Sequence, residues 1–529
     1  MSLQNKIKHK IDNIRDYLHG GGYPDPLNNA EQISYFFFFI LYEKMDKDIS
    51  EHDKKFKSKF LGSSAINNPV NKIDQSNNLN NEMFKWSYWS NSLTGIKLVN
   101  FIRDEVFPFY KNLTKNIQYN FLEDAKLSII EPVILSQIIE LLNELDLNQL
   151  DVDTKGDLFE YILKQIKQAG ELGQYRTPRH IIEYIVELVN PKIGEKIYDP
   201  AVGTAGFLIS AYNHIKKINS SENGIREIEI DEKKYLRGIG DKLSKNEFEI
   251  LSENTLFGND VDLRMTKLSM MNLFLRNLNK IRITNENALT TSFDKQFRID
   301  NFFPEKGFDV ILANPPFSGR IDHQRVVDEN RIGKSKSTEL LFIKHIFNML
   351  SENGRVGMIV PEGVLFGRNK ASIQLKKTLV EEYNLSTIIS LPRGVFNPYS
   401  GVKTSVIFFS KKNIYKNVLF IDIENDGYKL NSQHNFPIDE DDLPLAKKII
   451  LDRDKYYKIW KKDFDNHKEW KEKYFFISKE EIKQTKYLIN YNRYKPYYKV
   501  IKDNFKSRKK IIVDKTTLVN NFSKDINEL

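Results

Sequence analysis

Apolar residues recur every three to four positions through much of the first 150 residues, which is the spacing of amphipathic helices. The first series is Leu3, Ile7, Ile11, Ile14 and Leu18. Three glycines then interrupt it, and further apolar runs lie at 33–45, from 98 onward, and at 130–145. We therefore predict a helical N-terminal domain over residues 1–150. The Asn- and Ser-rich stretch 63–81 is predicted to be a surface loop.

From about residue 155 to 410 the pattern changes, because short β-rich runs alternate with helical stretches. The runs are 196–198, 309–312, 356–359, 387–390 and 405–409. This alternation predicts an α/β fold, a Rossmann-like doubly wound and mostly parallel sheet, over residues 151–415. Residues 416–529 are charged and aromatic and are predicted to form a mainly helical C-terminal region. Ligands of such sheets bind at the carboxyl ends of the strands, so the loops after strands are the candidate sites.

Composition narrows the class of protein only slightly. With 529 residues the chain is long enough for two or three domains. The absence of cysteine excludes disulfides, thiolate metal sites and a cysteine nucleophile, and we predict no metal site. The formal net charge of +9 is compatible with a nucleic-acid partner, although the charge is diffuse. The most apolar short run, 33–42, is about half the length of a membrane span, and no signal peptide is recognisable, so we expect a cytoplasmic protein.

The first segment with chemistry follows the predicted strand 196–198. The strand ends at Asp199, and a loop of small residues, Gly203-Thr204-Ala205-Gly206, opens a helix near Phe207. Small residues let a ligand approach the backbone, and the first turn of a helix presents unpaired N–H groups. This loop can hold a nucleotide, a methionine-derived sulfonium cofactor, or no ligand at all.

The second segment, 256–262, is an apolar pair followed by Gly258 and acidic residues. Asp260 is the candidate, because an acid at the end of the second strand commonly accepts hydrogen bonds from ribose hydroxyls. The alternative is that Asp260 caps the helix predicted over 263–278. The glycine loop and the acid lie more than 50 residues apart instead of the usual ~20, so an insertion over about 213–253 is expected between them.

The third segment is a hydrophobic strand that ends in Asn314-Pro315-Pro316-Phe317. Two prolines supply no N–H, so nearby carbonyls lack strand partners and can face a pocket. The side-chain oxygen of Asn314 and the carbonyl of Pro315 can accept the two hydrogens of a planar amine such as adenine N6, and Phe317 can stack on the base. An adenine in a duplex must be flipped out to reach them. The alternative is an ordinary strand-terminating turn.

The fourth segment, 173–179, has the sequence GQYRTPR and precedes a predicted helix. Its functional interpretation is a flap over the cofactor. The alternative is a helix start in which Thr177 is the cap and Pro178 occupies the first turn.

Together the four segments resemble the γ arrangement of amino-methyltransferases. More narrowly, the chain resembles the modification (methyltransferase) subunit of type I restriction–modification systems, a family of N6-adenine DNA methyltransferases. The order of the helical domain, GQYRTPR, DPAVGTAGF, LFGND and ANPPF matches, as do 354–366, 391–396 and 401–409. The resemblance covers most of residues 1–495 and is densest over 155–410.

The resemblance implies a site-specific adenine-N6 DNA methyltransferase that uses S-adenosylmethionine on a flipped-out adenine. Carried over residue by residue, it assigns the cofactor to Gln174, Tyr175, Arg176, Thr177, Pro178, Arg179, Asp199, Gly203, Thr204, Ala205, Gly206, Asp260 and Asn287. The target adenine is assigned to Asn314, Pro315, Pro316 and Phe317. The chain departs from the commoner pattern at Val202 (often Cys), Ala205 (often Gly) and Asn259-Asp260 (often Gln-Glu), all small or isofunctional changes.

The resemblance also implies partners besides double-stranded DNA. Two modification subunits assemble on one specificity subunit, which reads the sequence and which residues 416–529 are expected to contact. A restriction subunit completes the complex by cleaving DNA with ATP. This chain offers no phosphate-binding loop for that activity, because Asp328 stands where such a loop before Gly333 needs its first glycine.

Other function classes stay open on the residues alone. An amino-methyltransferase acting on protein glutamine or on RNA would use the same Asn-Pro-Pro pocket. A non-catalytic DNA-binding assembly subunit could have kept the fold. Cytosine N4 methylation is a third alternative, but that chemistry more often has Ser at the first motif position.

Overall fold

The computed structural model describes residues 3–52, 56–62, 80–114, 121–145, 156–161, 177–230, 233–276, 278, 280–292, 294–295, 303–398, 400–412, 414–432, 434, 436–462 and 473–494. These residues divide into two compact units. The first holds the described residues up to 230 together with Lys234–Pro316, and the second holds Lys233 and the residues from Phe317 onward. No helix in these ranges is both long enough and apolar enough to cross a membrane. Most of the predicted loop 63–81 lies outside the described residues.

The first unit begins with helices, as the apolar periodicity predicts. They are α1 (Leu3–Gly20), α2 (Pro26–His52), α3 (Trp86–Ser92), α4 (Gly95–Phe101), α5 (Phe107–Thr114) and α6 (Pro132–Asn143), with a π-helical turn at Ile102–Val106 and a 3₁₀ turn at Asn81–Phe84. The run Phe36–Phe39 is fully buried. Phe38 and Tyr42 pack on Phe274, with ring centroids 5.6 and 6.0 Å apart, so α2 is a core helix.

The rest of the first unit alternates strands and helices around a parallel sheet. Its elements are α7 (Arg179–Val189), β1 (Ile197–Asp199), α8 (Gly206–Ile218), β2 (Ile225–Ile230), β3 (Lys233–Gly238), α9 (Lys245–Glu253), β4 (Leu256–Asn259), α10 (Leu263–Phe274), β5 (Arg282–Thr284) and β6 (Phe308–Ala313). The strand order is β6-β1-β4-β5, and each neighbouring pair is parallel. The expected insertion consists of the end of α8, the two-stranded sheet β2–β3, and α9.

Parallel strands decide where chemistry can occur in this unit. All four carboxyl ends meet at one edge of the sheet, so the residues after β1, β4, β5 and β6 are brought together although they are far apart in sequence. The loops that follow Asp199, Asn259, Thr284 and Ala313 therefore share this edge.

The second unit is a mixed sheet with short helices. Its elements are α11 (Thr338–Met349), β7 (Leu350–Pro361), α12 (Glu362–Phe366), α13 (Lys370–Glu381), β8 (Thr387–Ser390), β9 (Thr404–Ser410), β10 (Asn417–Asp422), β11 (Asp426–Tyr428), β12 (Pro437–Asp441), α14 (Leu443–Leu451), α15 (Arg453–Lys462), β13 (Tyr474–Ser478), α16 (Lys479–Gln484) and α17 (Tyr491–Tyr494). The order is β13-β10-β8-β9-β7. Only the β8–β10 pair of this series is parallel.

The α/β fold class is confirmed, and each of the five β-rich runs is a strand. The described part of residues 416–529 differs from the mainly helical prediction, because it contains β10 to β13 besides the helices. The reason is tertiary pairing: β10 and β13 are five- or six-residue segments whose apolar residues are buried against each other. Phe420 lies opposite Phe475 with ring centroids 5.2 Å apart, a contact that neither segment reveals alone.

Candidate active site

The loop after β1 makes a sharp turn into α8. Gly203 has φ +53° and Ala205 has φ +67°, so two residues of the loop occupy the left-handed region. A side chain on Gly206 would lie 3.0 Å from Ile182, so that glycine lets the helix pack closely on α7. A Cβ on Gly203 would meet no atom within 4 Å. The loop therefore leaves open space at Gly203, as a site where a ligand approaches the backbone requires.

Asp199 ends β1 as a buried carboxylic acid. One of its oxygens accepts a hydrogen bond from the Ala201 amide at 3.0 Å. Burial raises the pKa of Asp199, the hydrogen bond from the Ala201 N–H opposes this rise in part, the nearby charge of Asp260 adds to it, and the net pKa is about 8. A cation beside Asp199 would favour the ionised carboxylate. The site therefore fits a cofactor that carries an ammonium or sulfonium group.

Asp260 links the loop after β4 to the loop after β1. Its carboxylate accepts hydrogen bonds from the amides of Gly203 and Asp262, each at 2.9 Å. The alternative that Asp260 caps the next helix is wrong, since Asp262 is the N-cap of α10 and accepts from the Arg264 amide at 2.8 Å. Val261 is 69% exposed directly after Asp260. An exposed aliphatic side chain at this position offers a surface for a flat apolar ring.

Two asparagines follow β5, and their side chains make different contacts. The side-chain amide of Asn285 donates to the carbonyls of Asp260 and Val261 at 3.0 and 3.2 Å. Asn287 instead accepts from the Leu289 amide at 2.9 Å and closes its own turn. Asn285 thus supports the Asp260 loop directly, whereas the assignment of Asn287 to the cofactor stays a prediction.

Asn314 follows β6, and only the nitrogen of its side-chain amide has a hydrogen-bond partner among the described residues. Its Nδ2 donates to Thr177 Oγ1 at 2.8 Å. Its Oδ1 is buried and has no hydrogen-bond partner among the described residues. An orphaned buried acceptor is costly unless a ligand uses it. Asn314 therefore presents an unused acceptor next to Pro315, as a pocket for a planar amine needs.

The segment before α7 is described from Thr177 onward, and Gln174, Tyr175 and Arg176 lie outside the described residues. The alternative in which Thr177 caps the helix is wrong: the cap position is Pro178, no side chain caps α7, and the Thr177 hydroxyl accepts from Asn314 instead. Arg179 forms ion pairs with Asp157 at 3.1 Å and with Glu160 at 2.5 Å. The hydrogen bond of Thr177 and the ion pairs of Arg179 fix the position of this segment. The contacts of residues 174–179 with the cofactor stay a prediction.

Phe317, the last residue of the Asn-Pro-Pro-Phe motif, belongs to the second unit, whereas Pro316 still belongs to the first. Phe317 is only 5% exposed, and its ring meets Phe396 edge-on with centroids 5.6 Å apart. The next residue, Ser318, has φ +60° and donates its amide to Glu339. Phe317 is thus packed in its own unit, and its stacking on a base stays a prediction.

Asn272 is a site residue that the sequence analysis missed. It lies inside α10, is fully buried, and donates from Nδ2 to the carbonyl of Thr204 at 2.8 Å. A polar residue among the apolar positions of this helix is the only sequence signal for it. That signal does not say which loop the amide would reach.

Replacing Ala205 by glycine is expected to raise the free energy of unfolding by about 0.5–1 kcal/mol. A left-handed L-residue costs about 1–2 kcal/mol, and the extra chain entropy that glycine loses offsets about 0.5–1 kcal/mol of this gain. Urea unfolding of the full chain measures the change. Ala211→Gly, in the middle of α8, is the matched control and should lower stability by about 1 kcal/mol. A loss of stability in both variants contradicts the strain at Ala205.

Comparison with known proteins gives one family. A family model described as N-6 DNA methylase matches residues 150–503. The chain is 32% identical over 356 residues to the type I restriction enzyme EcoEI methylase subunit of Escherichia coli. It is 28% identical over 333 residues to the StySPI methylase subunit of Salmonella potsdam. The first match covers 64% of this chain and 65% of the relative, and the second 59% and 57%. The chain therefore spans less than two thirds of either relative.

A solved structure extends the likeness in fold over nearly the whole chain. It is the modification subunit of a putative type I restriction enzyme from Vibrio vulnificus YJ016. The match has a TM-score of 0.63 at 21% identity and covers 90% of this chain and 93% of that one. At this identity the likeness shows that the two chains share a fold.

Proposed function

Because the chain belongs to the N-6 DNA methylase family, we propose that it methylates N6 of a flipped-out adenine in double-stranded DNA. The observation that carries this proposal is the orphaned Oδ1 of Asn314. It is the acceptor that an adenine amino group would occupy, and it stands at the carboxyl edge of the parallel sheet, where ligands of this fold class bind.

Asn314 and Pro315 would hold the amine and polarise it. Asn314 Oδ1 accepts one N6 hydrogen and the Pro315 carbonyl accepts the other, which draws electron density toward the nitrogen. The nitrogen lone pair would form the new bond to the methyl carbon of a sulfonium cofactor while the bond from that carbon to sulfur breaks, which leaves a neutral thioether. One amino proton would afterwards be lost to water. No strong base is needed, because the amine becomes acidic only once it has gained the methyl group. In the structure the Thr177 hydroxyl accepts from the Asn314 nitrogen, which leaves the side-chain oxygen as the acceptor for the amine.

The cofactor that we propose, S-adenosylmethionine, supplies an electrophilic methyl group. The residues at the sheet edge match its parts. The carboxylate of Asp199 would face a cationic group of the methionine portion, and the open backbone at Gly203 would allow close approach. Asp260 would accept from ribose hydroxyls, and Val261 would cover the adenine ring. The predicted contributions of residues 174–179 and of Asn287 belong to the same proposal.

The partners follow from what the relatives are called. Two relatives are named methylase subunits of type I restriction enzymes. We propose that this chain is likewise a subunit, in which two copies bind one specificity subunit, partly through residues 416–529, and join a restriction subunit. In this proposal the methyltransferase domain 151–415 would bind the cofactor and the target adenine, and the helical domain 1–150 would help to bind the DNA. The expected cytoplasmic location is part of this proposal.

Transfer of a tritiated methyl group tests the function directly. The full chain, assembled with the specificity subunit that we propose as its partner, should label duplex DNA that contains its recognition site. The matched duplex replaces the target adenine with 2-aminopurine, which lacks an amino group at position 6, and should stay unlabelled. Label on protein or RNA with none on DNA contradicts the proposal and favours the other amino-methyltransferase class.

A further inference from the structure

Four charged residues of the first unit form a cluster, in which Asp157, Glu160 and Arg276 are buried and the Arg179 side chain is 17% exposed. Asp157 and Glu160 lie on the helical residues 156–161, Arg179 begins α7, and Arg276 follows α10. Arg179 pairs with both carboxylates, and Arg276 NH2 lies 3.7 Å from each of them. The Arg276 side chain is 1% exposed and the two carboxylates are each 7% exposed. We call these four residues the anchor cluster.

The anchor cluster is balanced in charge and tightly packed. Two guanidinium groups face two carboxylates, and a guanidinium stays protonated in proteins. A side chain on Gly156 would lie 2.5 Å from Arg276 Cζ, so the backbone itself closes over the cluster. Each member of the cluster has an opposite charge within 4 Å, so removing one member would leave another charge uncompensated in a largely buried place.

A chain of hydrogen bonds leads from the anchor cluster to the small-residue loop 203–206, which we call the cofactor loop. Arg276 donates to the carbonyl of Asn272 at 2.9 Å and also to its side-chain oxygen. With that oxygen engaged, the Asn272 amide nitrogen points to the Thr204 carbonyl, 2.8 Å away. Arg276 thus orients the amide that holds the small-residue loop.

A second connection leads from the anchor cluster to the side-chain amide of Asn314. Arg179 is two residues after Thr177, and Pro178 between them has a φ restricted by its ring. The Thr177 hydroxyl accepts from Asn314 Nδ2 at 2.8 Å. A carboxamide can turn over and exchange its oxygen for its nitrogen. The Thr177 hydroxyl can accept or donate, so it fixes where the amide lies rather than which of its atoms faces the pocket, and it does so only if its own position is held.

We propose that the anchor cluster positions both reactants' sites at once: Asn314 through Thr177, and the cofactor loop through Arg276 and Asn272. Thr177, Asn272 and Arg276 are then positioning residues, and neither the target base nor the cofactor needs to touch Asn272 or Arg276. The inference rests on the proposed methyltransferase function. It predicts that loss of the Thr177–Asn314 contact mainly lowers kcat and that loss of the Asn272–Thr204 contact mainly raises the cofactor Kd. A substitution in the anchor cluster should change both.

The contact between Thr177 and Asn314 is tested with an isosteric pair of variants. In the full chain assembled with its specificity subunit, Thr177→Val should lower kcat about 10- to 100-fold, because the Asn314 amide loses the contact that fixes its position. Thr177 also lies in the segment proposed to contact the cofactor, so the Kd for S-adenosylmethionine should rise, but by a smaller factor than kcat falls. Thr177→Ser keeps the hydroxyl and should restore most of kcat. Thr378 donates from its hydroxyl to Glu382, and Thr378→Val is the matched control that should match wild type.

For the contact between Asn272 and Thr204 we expect the opposite result, a larger change in the cofactor Kd than in kcat. Asn272→Leu keeps the size of the side chain but leaves the Thr204 carbonyl without its donor, so the Kd for S-adenosylmethionine should rise about tenfold with a smaller change in kcat. Arg276→Lys keeps the charge but cannot bind Asn272 and both carboxylates together. It should lower kcat and raise Kd in the same variant. Urea unfolding of every variant separates these effects from loss of folded protein.

The outcomes discriminate between the two levels of the proposal. If the wild-type complex transfers no methyl group to DNA, the proposed function fails and the positioning roles fail with it. If wild type is active and Thr177→Val keeps its kcat, or raises Kd as much as it lowers kcat, only the positioning role of Thr177 is refuted. If Arg276→Lys changes only the free energy of unfolding, the anchor cluster is a structural feature and the shared anchor is refuted.

Discussion

Replacing Asn314 with alanine is expected to lower kcat for DNA methylation by about 10²- to 10³-fold, the usual loss when one preorganised polar partner of a reacting group is removed. The Kd for S-adenosylmethionine should hardly change, because the side-chain oxygen is unpaired and the nitrogen binds only Thr177 among the described residues. Single-turnover methyl transfer at saturating cofactor and DNA measures the chemical step, and equilibrium binding measures Kd.

Asn314→Asp sharpens this prediction. It keeps an oxygen as acceptor, and the Thr177 hydroxyl can turn from acceptor to donor, so the contact can re-form with reversed polarity. This variant should retain more activity than Asn314→Ala. Asn100→Ala, on an exposed helical position, is the control and should match wild type. Full methyl transfer by Asn314→Ala would refute the assigned acceptor, and an equal rise in Kd would move Asn314 into the cofactor site.

The affinity for S-adenosylmethionine is expected to rise by up to about tenfold per pH unit until the pH reaches the pKa of Asp199. Burial, aided by the charge of Asp260, raises this pKa to about 8. The carboxyl group is therefore largely protonated at pH 7, although its ionised form is the one that would attract a cation. Binding at pH 7 should release about one proton, which calorimetry in buffers of different ionisation enthalpy detects.

The same pKa sets the sign of the stability change. Asp199 binds its proton more tightly in the folded chain than its ordinary pKa of 3.8 allows in the unfolded one. The stability contributed by this group is full below about pH 4 and is lost as the pH rises toward 8, with no further change above. Without cofactor, the free energy of unfolding of wild type should therefore fall across this range by more than that of Asp199→Asn.

Asp199→Asn should also flatten the pH dependence of the cofactor Kd, because it cannot ionise. Asp439→Asn, on the exposed part of β12, is the control that keeps the wild-type profile. A Kd for Asp199→Asn that still falls with pH as in wild type would contradict the assignment of Asp199 to the cationic part of the cofactor.

The sequence determined the local elements and the identity of the motifs. Helical periodicity located α1, α2 and α6, and the β-rich runs located β1 and β6 to within a few residues. These features are local, since they depend on spacing along the chain and on which residue types tolerate a turn. The same local information placed Asn314 after a buried strand and the small-residue loop before a helix.

Only the tertiary structure decided the partners of these residues. Helix-cap rules favour both Thr177 and Asp260, yet Thr177 binds Asn314, 137 positions away, and Asp262 takes the cap of α10. Asn272 reaches Thr204 across 68 positions, and the anchor cluster joins residues 157 and 276. Parallel pairing of strands brings such distant loops to one edge, and buried polar groups must then find partners there. Spacing along the chain does not indicate which partners these groups find, because burial and the order of the strands determine the partners.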